Sequence, residues 1–120
     1  MSLDREKAWA LAEDWVSAWN AHDLERILEH YADEVVLVSP VAAERFADPS
    51  GTVRGKAALR DYFRMGLEKN PKLRFELEDV MWGIGSVVLY YKNQRGTKTG
   101  EVMELDGAGQ VVRVLANYSG

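Results

Sequence analysis

The chain has 120 residues, enough for one domain of ordinary size and too few for a separate cofactor-binding unit. It contains no cysteine, which removes disulfides, thiolate metal sites and cysteine nucleophiles together. Fifteen basic against nineteen acidic residues give a net charge of −4, a balance that argues against a nucleic-acid partner.

From Leu3 to Asn20 the apolar residues Ala8, Leu11, Ala12, Trp15, Val16 and Trp19 recur at steps of three and four, which predicts an amphipathic helix with Ser2 as its cap. Asn20-Ala21-His22 breaks the pattern, and Asp23 can cap a second, shorter helix carrying Leu24, Ile27, Leu28 and Tyr31. Val35 to Val38 is a β-branched run closed by Ser39-Pro40, so a strand is expected there. Val41 to Arg54 holds two turn signals and no sustained period; it is expected as a long loop able to act as a lid over a pocket mouth. A third helix follows Gly55, with Leu59, Tyr62, Phe63 and Leu67 as its inner stripe and Asn70-Pro71 as its end.

Beyond Pro71 the period changes to two. Leu73, Phe75 and Leu77 alternate with charged residues, Ser86 to Lys92 and Thr97 to Leu105 form a hairpin across Asn93 to Gly96, and Gln110 to Tyr118 makes the last strand. The order helix, helix, strand, helix, then four strands in a meander is an α+β pattern: a curved antiparallel sheet packed against three helices from the N-terminal half. No linker or repeat divides the chain, so residues 1–120 are expected as one domain.

No run of about 18 apolar residues predicts a membrane span. The N-terminus lacks the basic-then-apolar layout of a signal peptide, so a cytoplasmic protein is expected, with no membrane partner. His22 and His30 share no helical face and no carboxylate has ligand spacing to them, so no metal site is expected. The glycines make no dinucleotide fingerprint, because no strand leads into them, and no cofactor is expected. Arg54, Lys56, Arg60 and Arg64 form a basic run that describes one solvated helix edge.

Four stretches carry a family resemblance. They are Trp15-Val16-Ser17-Ala18-Trp19-Asn20-Ala21-His22-Asp23-Leu24, Tyr31-Ala32-Asp33-Glu34-Val35-Val36, Gly55-Lys56-Ala57-Ala58-Leu59-Arg60-Asp61-Tyr62-Phe63 and Asp106-Gly107-Ala108-Gly109-Gln110-Val111-Val112. In this order they resemble the nuclear transport factor 2-like superfamily, and within it the SnoaL-like proteins and the ketosteroid isomerases. The resemblance implies a cone-shaped fold with an internal pocket and a homodimer formed through the outer sheet face. It does not imply one activity, because function resides in sites that differ among proteins of one fold.

Ketosteroid isomerases use an aspartate base and an oxyanion hole made by a tyrosine and a protonated aspartic acid. By resemblance, the base position matches Ser39, the tyrosine matches Trp15, and the third position matches Glu101. Two of the three are replaced, so ketosteroid isomerase activity itself is not expected. Glu101 and Ser39 are the candidate catalytic residues, Glu101 as acid or hydrogen-bond donor and Ser39 as an orienting group. Trp15, Trp19, Leu37, Phe63, Met103, Val114 and Tyr118 are the candidate ligand-binding residues.

Glu101 has two readings: in the cone it would be desolvated and held protonated, whereas one step of strand register would expose it to pair with Lys98 or Lys92. Tyr90 and Tyr91 must face opposite sides of their strand, one to the cavity and one outward. The function expected is binding of a small apolar ligand, with cofactor-free isomerase, cyclase or hydratase chemistry on a polyketide- or steroid-like molecule if the protein is an enzyme. The alternative is a non-catalytic dimeric association or protein-binding module.

Overall fold

A computed structural model describes residues 2–120. Helix α1 (Arg5–Asn20) starts at Asp4, whose carboxylate accepts the Lys7 backbone N–H at 2.8 Å, so Asp4 and not Ser2 is the cap. It buries Ala8, Ala12, Trp15, Val16, Ala18 and Trp19 on one side. Helix α2 (Leu24–Leu28) is capped by Asp23 as expected, and it stops short of Tyr31. Asp14 ties the two helices together through Arg26 at 2.9 Å and His30 at 2.8 Å.

Strand β1 (Tyr31–Val38) takes up Tyr31, which periodicity had assigned to the preceding helix. The segment expected as a loop folds: helix α3 (Pro40–Phe46) and edge strand β2 (Thr52–Arg54) occupy most of it, making four helices in all among the described residues. Ser39 caps α3 through its Oγ, which accepts the Val41 N–H at 3.1 Å, and Pro40 stands at the first helical position, where its missing donor costs nothing. Helix α4 (Lys56–Lys69) then packs Leu59, Tyr62 and Phe63 inward.

The rest is a meander of β3 (Glu76–Trp82), β4 (Ser86–Lys92), β5 (Lys98–Leu105) and β6 (Val111–Tyr118). The six strands form one sheet in the order β2-β1-β6-β5-β4-β3. All neighbours are antiparallel except β1 and β6, which run parallel. Thus the last strand lies between the first strand and the meander.

Alternation along the strands sends three registered rows toward the helices. Val114, Met103 and Val87 face one another in the first row, Ala116, Glu101, Leu89 and Val80 in the second, and Tyr118, Thr99, Tyr91 and Leu77 in the third. The first row is core: Met103 and Val114 are fully buried and Val87 nearly so. At the far end of α1, the Asn20 side chain donates to the Phe75 carbonyl at 3.0 Å and accepts the Phe75 N–H at 2.7 Å, so it pairs with the backbone as a neighbouring strand would. His22 Nε2 lies 2.9 Å from the Leu73 carbonyl oxygen. These contacts swing Leu73 and Phe75 over the sheet. Among the described residues no helix is long and apolar enough to cross a membrane.

Candidate functional site: an aromatic cavity with one buried carboxyl

The helices do not cover the sheet completely. A cavity of about 200 Å³ remains between them, walled by Trp15, Trp19, Phe63, Phe75 and four tyrosines: Tyr31, Tyr62, Tyr91 and Tyr118. Ala116 sits beside Glu101 in the second row, and its small side chain leaves the carboxyl uncovered on that side. Above this row Thr99 and Asn93 are buried, and Gln94 and Arg95 from the β4–β5 hairpin and Val41 and Arg45 from α3 form the rim.

Of the residues singled out from the sequence, Trp15, Trp19, Leu37, Ser39, Phe63, Glu101 and Tyr118 lie on this wall. Met103 and Val114 do not. They occupy the row below, with no exposed surface, because the side chains of the first row fill the closed end of the cone. His22 and His30 are not on the wall.

Glu101 faces inward, which decides between its two readings, and only 8% of its surface is exposed. Lys98, one candidate partner for an exposed Glu101, instead pairs with Glu78 and lies over the Tyr90 ring. The carboxyl accepts a hydrogen bond from Tyr91 Oη at 2.9 Å. Burial pushes its pKa up to about 7, against the opposing pull of that hydrogen bond. Near neutral pH the group is therefore divided between acid and carboxylate. Tyr91 is the inward member of its pair, and Tyr90 the outward one.

The other hydroxyls are held in place. Trp15 Nε1 donates to Tyr31 Oη at 2.9 Å, so the indole spends its one polar proton inside the wall. Tyr62 Oη points at Ser39 Oγ from 3.4 Å, long for a hydrogen bond. Burial, then the charge of Glu101, raises the pKa values of Tyr31, Tyr91 and Tyr118. Burial also raises that of Tyr62, although Ser39 and Arg45 oppose it. All four are neutral donors at physiological pH. Trp19 Nε1 is buried with no hydrogen-bond partner among the described residues, a state that natural interiors seldom leave unfilled.

Sequence reasoning missed Tyr31, Phe75, Thr99 and the rim arginines. Tyr31 was hidden by its helical spacing to Leu24, Ile27 and Leu28. Thr99, however, was accessible: once Glu101 faces inward, the period of two turns Thr99 and its partners Tyr91 and Tyr118 the same way.

A curved sheet with helices on its concave face, an aromatic hollow and a single carboxyl inside define a small pocket-bearing α+β protein. A profile of the SnoaL-like domain matches residues 12–117, and the chain belongs to the SnoaL-like family. It is 36% identical to a SnoaL-like protein of unknown function from Burkholderia thailandensis E264, with a TM-score of 0.96 over 100% of both chains. A protein of unknown function with a cystatin-like fold from Methylobium petroleophilum PM1 is 16% identical, with a TM-score of 0.78 over 100% of this chain and 80% of that one. A candidate isomerase of the SnoaL-like family from Agrobacterium tumefaciens C58 is 18% identical, with a TM-score of 0.76 over 96% of this chain and 99% of that one. The last two likenesses are of fold alone. No curated protein matches this chain.

Proposed function

We propose that this protein binds a small, largely apolar molecule in the cone and transfers a proton to or from it through Glu101, in cofactor-free isomerase or hydratase chemistry. The observation that carries this reading is the placement of one carboxyl, alone among aromatic side chains, on the wall of a cavity large enough for a ligand. A cavity of about 150 Å³ holds benzene, so about 200 Å³ suits one or two fused rings. With its pKa near 7, Glu101 can give or take a proton at neutral pH, the condition under which general acid–base catalysis works best. Ser39 and Tyr62 are placed to orient an oxygen of the ligand, and a ligand acceptor reaching Trp19 would satisfy its orphan N–H.

The test uses 2-tetralone, a bicyclic ketone with exchangeable α-hydrogens. Deuterium incorporation in D₂O, followed by NMR, is expected to run faster with the protein than in matched buffer. In Glu101→Gln, which preserves shape but cannot transfer a proton, it is expected to fall to the buffer rate. Binding without exchange would leave a binding protein with no proton-transfer role.

We further propose that two copies pair through the outer face of the sheet. There Val38, Leu115, Val102, Val88 and Met81 form an unbroken apolar row across five strands. Exposed charges of both signs flank the row, Arg113 opposite Glu104 on one side and Glu76 opposite Lys92 on the other. A two-fold axis lying in the plane of contact lays this row against the same row of a second copy, apolar on apolar. This favours a second copy over an unrelated partner.

A further inference from the structure

The electrostatics of the cavity wall are opposite to those of the protein. The chain as a whole carries −4, yet the wall holds two arginines, no lysine and only one acidic residue, Glu101. Both arginines lie at the rim. Arg45 comes from α3, with its guanidinium 5.5 Å from the centre of the Tyr62 ring, and Arg95 comes from the β4–β5 hairpin, 5.6 Å from the centre of the Tyr118 ring. Each cation thus rests on a tyrosine that itself lines the cavity. Their fields reach the interior, since both arginines act to lower the pKa of the tyrosine beneath.

Neither arginine is neutralised. Among the described residues no carboxylate lies within 4 Å of either guanidinium. Neither side chain donates a hydrogen bond within the described chain. A cation held near a ring by this attraction spends no N–H on a hydrogen bond, so the guanidinium donors that match a carboxylate in pairs stay free. The positive region also continues outside. A second cleft shares Asn93 and Gln94 with the cavity wall and is lined by Lys72, Arg74 and Lys92 against the single acid Glu76.

Resting on the pocket reading above, we propose that the ligand is an organic acid, with its ring-sized apolar body among the aromatic walls and its carboxylate held at the rim by Arg45 and Arg95. A neutral apolar ligand would give these two cations no counter-charge. An acid pairs them through charge-assisted hydrogen bonds, which are stronger than neutral ones. The basic cleft beside the mouth raises the local concentration of anions and speeds their arrival.

The probes are 2-naphthoate and its neutral isostere 2-naphthamide, titrated into the full-length protein by calorimetry at low ionic strength. The wild type is expected to bind the acid at least about tenfold more tightly than the amide, with the difference shrinking as salt is added. Arg45→Gln/Arg95→Gln should lose the preference, and an unchanged circular dichroism spectrum and melting temperature show that the fold is intact. Should the glutamine variant not fold, Arg45→Lys/Arg95→Lys keeps the charge and should retain most of the preference, with its salt dependence. Equal affinity of the wild type for acid and amide, or a preference that survives both glutamines, overturns the assignment of an acid but leaves the pocket reading standing. If neither probe binds the wild type, the pocket reading falls and this inference with it.

Discussion

Glu101 is a carboxyl whose neutral form the fold prefers, and that preference has a sign in pH. An unfolded glutamate titrates near 4.5, whereas burial raises Glu101 to about 7. Between these values the native state holds a proton that the unfolded state has released, so stability falls as pH rises through the interval. Below about pH 4.5 the penalty is absent, and above about pH 7 it is complete. The interval corresponds to roughly 3 kcal/mol as an upper bound. Glu101→Gln has no proton to lose. Denaturant unfolding of both proteins from pH 5 to 8 should show the variant gaining on the wild type by up to about that amount, with most of the gain below pH 7. A constant difference across the range would mean that Glu101 titrates normally and that its surroundings do not desolvate it.

At the scale of elements, the segment between β1 and α4 shows what the sequence made visible and what it hid. Strand β4 matches its expected span, and α1 and β6 differ from expectation only at their starts, because long amphipathic or alternating runs repeat their period several times. Helix α3 has seven residues and β2 three, too few for any period to register. Strand β3 was displaced for another reason. Leu73 and Phe75 do turn inward, but as a lead-in held by Asn20 and His22, and a register shift between Leu77 and Asp79 then breaks the alternation. The site was legible to the same degree. Helical spacing turned Trp15 and Trp19 inward, but their place on the cavity wall, like that of Glu101, followed from resemblance, while Arg45 lay hidden in the short helix.

The same segment is part of the architecture, not an appended lid. Gly51 accepts the Ser39 N–H through its carbonyl at 2.9 Å, its φ is +58°, and an added Cβ would lie 2.5 Å from the Ser39 carbonyl oxygen. Gly51→Ala is therefore expected to destabilise the protein by about 2 kcal/mol or more, seen as a lower denaturant midpoint at unchanged slope. An unchanged midpoint would show that Ser39 and its cap can shift freely.

For the whole molecule, the outer face makes a prediction about assembly. Leu115 lies in the apolar row between Val38 and Val102. Leu115→Glu places one charge from each copy in the apolar contact, away from water. Sedimentation at tens of micromolar is expected to give a dimer for the wild type and a monomer of unchanged circular dichroism for the variant. A monomeric wild type would leave the row without the partner assigned to it.

The parallel pairing of β1 with β6 also constrains the order in which the molecule can be made. Residues 36–38 must meet residues 113–115, 77 positions further along the chain, before the sheet is continuous. Until Val111–Tyr118 leaves the ribosome, β1 and β2 form one fragment and β3, β4 and β5 another, each with an unpaired edge where β6 belongs. Closing so long a loop is slow, and an open edge invites pairing with another chain. Ala116 and Tyr118, which complete the cavity wall, arrive with that same strand. The nascent protein therefore has no finished pocket, and no ligand can act as a template for its folding, until β6 has emerged.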